Sequence, residues 1–124
     1  MENSKTNNKK KGDKGEELAS AYLEKNGYTI IERNWKFSRF ELDLIAENAT
    51  HLVFVEVKTR YSNVYGEPWE AVNKTKRNKI CMSGDAYIRQ KLSKKEPRFD
   101  IVSILQMNGG TQILHLEGAF WPMA

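Results

Sequence analysis

Leu52-Val53-Phe54-Val55-Glu56-Val57-Lys58-Thr59 is the stretch whose reading decides the fold. Its β-branched and aromatic residues fit a strand, and side chains on a strand alternate between faces. Val53, Val55 and Val57 therefore share one face, and Leu52, Phe54, Glu56 and Lys58 share the other. An acid and a base thus stand side by side on an otherwise apolar strand. Buried charge is costly unless it is paired or bound to a metal. Taken alone, Glu56-Val57-Lys58 favours a strand-end salt bridge, with Lys58 snorkelling to water. The preceding segment changes that reading.

Glu41-Leu42-Asp43-Leu44-Ile45-Ala46-Glu47 alternates as a second strand. The short polar link Asn48-Ala49-Thr50 predicts an antiparallel hairpin. In such a pair, opposite residues share a face and their Cβ atoms lie about 4.5–5.5 Å apart. If Leu42 and Leu44 lie with Val53, Val55 and Val57, parity puts Asp43 with Glu56 and Lys58. A one-residue slip would spoil both faces together.

Two carboxyl groups that close repel unless one keeps its proton or a cation sits between them. A hard divalent ion with oxygen ligands, Mg²⁺ or Mn²⁺, satisfies the arrangement. Such an ion lowers the pKa of a water and neutralises charge developing on a phosphate. Lys58 is then placed to orient the attacking water or to stabilise the transition state. Asp43 followed by Glu56-Val57-Lys58 resembles the PD-(D/E)xK nuclease signature, with Leu42 where that signature has Pro.

Composition bounds the alternatives. The 124 residues are the length of one domain, and a hydrophobic fraction of 40% with three Trp allows a modest core. No apolar run has the length of a membrane span, and the polar N-terminus carries no signal-peptide pattern. The single Cys81 excludes an internal disulfide and fits a reducing cytosol, so a cytoplasmic location is expected. His51 and His115 are isolated, which argues against a zinc cluster. The net charge of +4 is uneven. Residues 71–95 hold eight Lys or Arg against Asp85 alone. A basic segment set against an acidic site reads as a phosphate-backbone footprint, although such runs also occur as solvated helix faces.

In chain order, residues 1–12 read as a disordered basic tail, with one nuclease-like domain over 13–124. A helix is expected from Asp13 to about Asn26, with Leu18, Ala19, Tyr22 and Leu23 as its apolar stripe and Gly27 as its stop. Glu16 and Glu17 stand in its first turn, where they complement the helix dipole. A strand follows from Tyr28 to about Phe37, with Trp35 and Phe37 under the sheet, and then the Asp43 and Glu56 strands. Residues 61–67 form a loop beside the site, and Pro68 suits the first turn of a long basic helix reaching about Leu92. Gly84 marks a kink or break in it, and Pro97 ends it. Lys74, Lys76, Arg77 and Lys79 are its candidate DNA contacts. Strands over 98–105 and 113–116 complete the order α-β-β-β-α-β-β. This predicts an α/β fold with a mixed β-sheet flanked by helices and a crossover between the Glu56 and Phe99 strands. Asp100 reads as structural.

The assembled chain resembles the YraN-like family of small bacterial proteins and, more distantly, archaeal Holliday-junction resolvases. The matching stretches are Gly15-Glu16-Glu17-Leu18-Ala19, Arg33-Asn34, Glu41 to Ala46, Val53 to Arg60, Glu70-Ala71-Val72 with Lys74 and Lys79, and Arg98 to Val102. They span about residues 12 to 120. Phe40 departs from the pattern, where a Gly is usual. The resemblance implies a restriction-endonuclease-like core and adds Glu16, on the first helix, to Asp43, Glu56 and Lys58. Resolvase-like proteins act as dimers, so a homodimer is an implied partner state. No small-molecule cofactor is implied.

The expectation is a metal-dependent endonuclease acting on branched or damaged DNA. Asp43, Glu56 and the Val57 carbonyl would be the metal ligands. Glu16 would hold a second ion or its water, and binding would depend steeply on salt. Two other readings stand beside it. One is a nucleic-acid-binding module that does not cut. The other is a protein-interaction factor using Tyr61, Tyr65 and Trp69.

Overall fold

The computed structural model describes residues 4–61 and 73–120. Its elements run α1 (Ser4–Lys25), β1 (Thr29–Phe37), β2 (Phe40–Glu47), β3 (His51–Tyr61), α2 (Lys74–Lys91), β4 (Glu96–Met107) and β5 (Gly110–Phe120). The five strands form one sheet in sequence order. Neighbours are antiparallel except β3 and β4, which are parallel. Parallel neighbours need a long crossover, and α2 lies within it. This is the expected mixed sheet in the expected order. The 61–67 loop beyond Tyr61, the helix start at Pro68, Tyr65 and Trp69 all lie outside the described residues.

Two apolar layers cover the sheet. On one face, Ala19 and Leu23 of α1 pack with Leu44, Ala46, Val53, Val55, Val102 and Ile104. On the other, Ile80, Cys81 and Tyr87 of α2 pack with Phe54, Phe99 and Ile101. The central strand β3 is buried on both faces, which explains its near-continuous apolar run. Its valines face α1 and its Phe54 and Glu56 face α2, as the alternation requires.

Helix α1 ends as expected. Gly27 adopts φ +92°, while Tyr28 N–H donates to the Leu23 carbonyl and Gly27 N–H to that of Glu24. Its start differs, because the helix reaches Ser4 rather than beginning at Asp13. Lysines are good helix formers and extension of an existing helix is cheap, so residues 4–12 continue it instead of forming an irregular tail. In α2, Asn73 caps the first turn by accepting from Lys76 N–H at 2.9 Å. The helix stops at Leu92, in the left-handed region, and Pro97 lies inside β4, not at the helix end. Gly84 makes no break. A Cβ there would lie 3.0 Å from Phe99 and 3.2 Å from Phe54, so glycine lets α2 approach the sheet closely. No described helix is long and apolar enough to cross a membrane.

Candidate active site

The hairpin of β2 and β3 pairs Glu47 with Leu52, Ala46 with Val53, Ile45 with Phe54 and Leu44 with Val55. Continuing that register sets Asp43 against Glu56, as parity predicts. The described ladder stops one step short, and the Asp43 carboxyl takes its place by accepting the Val57 N–H at 2.8 Å. The irregularity has a partner in β1. Asn34 stands between the pairs Arg33–Leu44 and Trp35–Leu42 and adopts φ +52°. Asparagine is among the few residues that visit this region readily. The strands change faces here. Leu44 packs on the α1 side, whereas Leu42 packs on the α2 side. This corrects the expectation that Leu42 and Leu44 share a face, and it leaves Asp43 at the switch. The Phe40 departure leaves the hairpin intact, with Phe37 paired to Phe40 across a Ser38-Arg39 turn.

Glu56 is only 4% exposed, and two ammonium groups share one of its oxygens. Lys58 Nζ lies 3.5 Å from Oε1, and Lys76 Nζ lies 2.5 Å from it. Lys76 was expected among the phosphate contacts of the basic helix; the structure places its ammonium on Glu56. Lys76 lies one turn before Ile80, on the inward stripe that continues through Ser83 and Tyr87. That spacing is a sequence signal, but the charge of the segment masks it. Lys74 and Lys79 are exposed and Arg77 is half-buried.

Glu16 reaches the site because α1 approaches β3 closely. A Cβ on Gly15 would run into the Thr59 hydroxyl. Asn34 Nδ2 then donates to Glu16 Oε1 at 2.9 Å. Asn34 joins the candidate site and was not assigned to it from the sequence; its advance marks are a polar residue of turn-forming type inside a strand and its place in the Arg33-Asn34 match.

The surroundings shift the Asp43 carboxyl. Burial pushes the Asp43 carboxyl up to about 8; the charges of Glu56 and Glu16 add to this, and the Val57 N–H and Lys76 oppose it. Burial also lowers Lys58, and the neighbouring Lys76 lowers it further. Burial pulls Lys76 down too, but its hydrogen bonds to Glu56 and Lys58 outweigh that and leave it raised. Among the described residues, no three Asp, Glu, His or Cys side chains gather closely enough to cage a metal alone. The donors present are oxygens, and Asn34 Oδ1 is buried without a hydrogen-bond partner. An orphaned acceptor beside two acids fits a hard cation that keeps several waters, as Mg²⁺ does.

Asp100 does not join this site. It is fully buried and accepts from Arg98 Nε and Nη2 at 2.9 Å each and from Gly118 N–H at 3.0 Å, and it pairs with His115 Nε2 at 2.7 Å. Burial would raise its pKa, but these partners prevail and lower it. That is the structural role expected of it. A cavity of about 310 Å³ lies between α2 and the β1–β2 turn, edged by Arg39, Lys79, Phe37 and Phe40, and none of the acids lines it.

Residues 15–104 match the model of the uncharacterised protein family UPF0102. A UPF0102 protein of Clostridium acetobutylicum is 43% identical over 116 residues, covering 91% of this chain and 95% of its own. One from Bacteroides thetaiotaomicron is 41% identical over 111 residues, covering 90% and 92%. One from Clostridium botulinum is 39% identical over 117 residues, covering 91% and 95%. The matched span runs from Gly15 into β4 and so takes in Glu16, Asn34, Asp43, Glu56, Lys58 and Lys76. The YraN-like resemblance is thus borne out, and the chain belongs to the uncharacterised protein family UPF0102.

Proposed function

We propose that the protein is a divalent-metal-dependent endonuclease that hydrolyses phosphodiester bonds in DNA, with branched or damaged DNA as its substrate class. One observation carries the reading. Half-buried Asp43 and buried Glu56 are neighbours at the end of a strand ladder, with Lys58 beside them. An arrangement that pushes a carboxyl to about 8 opposes folding, and such groups cluster at functional sites.

Asp43 and Glu56 would hold Mg²⁺ or Mn²⁺, with the Val57 carbonyl and Glu16 as further oxygen donors. A cation held there supplies Lewis-acid chemistry, acidifying a water and neutralising charge that builds on the phosphate. Lys58 orients the attacking water and donates to the phosphate oxygens as their charge grows. Exposed Lys74 and Lys79, with Arg77, bind the flanking phosphates. A homodimer would match the two-fold symmetry of a four-way junction.

The contact of Lys76 with Glu56 favours a second reading, because it balances the acids without a metal. In that reading the fold binds nucleic acid and does not cut. A cleavage assay separates the two, using single-stranded, duplex, flap and four-way-junction DNA with Mg²⁺ or Mn²⁺. The nuclease reading expects cutting by wild type and none by Asp43→Asn or Glu56→Gln. Equal cutting by all three proteins points to a contaminant, and binding without cutting by wild type favours the second reading.

A further inference from the structure

We infer that Lys76 is a built-in counter-cation for Glu56 that a divalent ion must displace, so that this lysine sets how readily the site fills with metal. The inference rests on the metal-dependent reading and deepens it.

The geometry supplies three reasons. First, Lys76 Nζ lies 2.5 Å from Glu56 Oε1, whereas Lys58, two residues along the same strand, lies at 3.5 Å. The closer cation comes from another element. A strand-end salt bridge needs only Lys58, so the second ammonium exceeds what the pair requires. Second, the backbone of Lys76 is fixed. Asn73 caps the helix by binding the Lys76 N–H itself, at 2.9 Å. The ammonium is therefore delivered from a set position and can move only by rotation of its side chain. Third, the two partners differ in freedom. The Lys76 side chain is 31% exposed and has a path to solvent, while Glu56 is 4% exposed and does not.

A divalent ion on the same oxygen would face the ammonium at contact distance, where like charges repel strongly in a poorly hydrated site. One of them must leave, and only the lysine can. Exposed Lys79 stands one turn along α2 from it. A phosphodiester bound there would accept the released ammonium. Metal and DNA then assist each other through one side chain, because each favours the state in which Lys76 has left Glu56.

The test is Mn²⁺ binding to the metal-free full chain by titration calorimetry, with thermal unfolding as a second readout. Lys76→Gln should tighten Mn²⁺ binding by about tenfold or more, the usual scale of coupling between two ligands of one site. Without metal the variant should melt below wild type, and saturating Mn²⁺ should close the gap. Lys76→Arg keeps the charge and should bind Mn²⁺ like wild type. Unchanged or weaker binding by Lys76→Gln overturns the inference and leaves the metal site standing. Failure of wild type and variant alike to bind Mn²⁺ overturns both. Lysine acetylation read by mass spectrometry tests the wild-type chain itself. Lys76 should be protected in chelator and reactive in Mn²⁺, with Lys74 and Lys79 equally reactive in both. Equal Lys76 reactivity in the two conditions overturns the inference.

Discussion

Replacing Asp43 with asparagine should stabilise the metal-free protein, and the gain should grow with pH. The Asp43 carboxyl lies at about 8 in the fold against 3.8 for the free group. Each unit is worth about 1.4 kcal/mol. The sign follows from proton uptake. Below about pH 3 both states hold the proton and the fold bears no penalty. As pH rises from about 4 to about 8, the unfolded chain gives up the proton and the folded chain keeps it, so stability falls. The penalty reaches about 5 kcal/mol at pH 8 and is about 1.5 kcal/mol at pH 5, a difference of about 3–4 kcal/mol. Asparagine keeps an oxygen to accept the Val57 N–H and has no charge to lose. Urea unfolding of both proteins in chelator at pH 5 and pH 8 measures the difference, and titrating groups that do not interact with Asp43 cancel. Wild type should lose about 3–4 kcal/mol more than Asp43→Asn over this range. Saturating Mg²⁺ should remove most of that loss in wild type and do little for the variant. Parallel pH profiles would refute the argument, since they would mean that Asp43 is ionised in the fold as easily as outside it.

Three further outcomes follow from the geometry. Gly15→Ala should destabilise the fold by about 1–3 kcal/mol through overpacking against Thr59, whereas Gly15→Ala with Thr59→Ala should equal or exceed wild type, because alanine favours the helix; thermal unfolding reads both. Asn34→Gly keeps the positive φ and removes the amide. Its melting temperature should stay near wild type while Mn²⁺ affinity by calorimetry falls, since Glu16 loses its anchor and the site an oxygen. Asp100→Ala should cost about 3–5 kcal/mol in urea unfolding by leaving Arg98 and His115 buried without their acceptor.

The sequence was most legible where structure is most local. The alternation of Val53, Val55 and Val57 against Phe54 and Glu56 is a property of one strand, and a three-residue link leaves little freedom in pairing it with the Asp43 strand. Asp43 and Glu56 could therefore be brought together from pattern alone. Two features depended on longer-range geometry. The left-handed turn of Asn34 exists because the strands change faces at Asp43, and no local pattern encodes that change. Lys76 was read with its basic neighbours because charge dominates residues 74–79. Its inward direction is fixed by Ile80 and Tyr87, whose stripe is thinned by Ser83 and Gly84. Gly84 is small because α2 lies tight against Phe54 and Phe99. The close packing that aims Lys76 at Glu56 thus also removes the apolar signal that would have revealed it.

The fold holds a control for its own candidate site. Asp43 and Asp100 are aspartates of the same sheet, one half-buried and one fully buried, and burial by itself pushes both upward. For Asp100, a guanidinium, an imidazole and a backbone N–H more than offset the burial, and the group stabilises the fold at neutral pH. For Asp43, one backbone N–H and a half-buried lysine do not. The nearby acids deepen the cost where the Asp100 partners reduce it. A cost of about 5 kcal/mol matches the whole stability of many small domains. Packing alone could have placed an apolar residue at position 43 without that penalty. The difference between the two aspartates therefore lies in their cations: Asp100 has its own within the chain, and under the metal-dependent reading proposed above Asp43 would take one from outside.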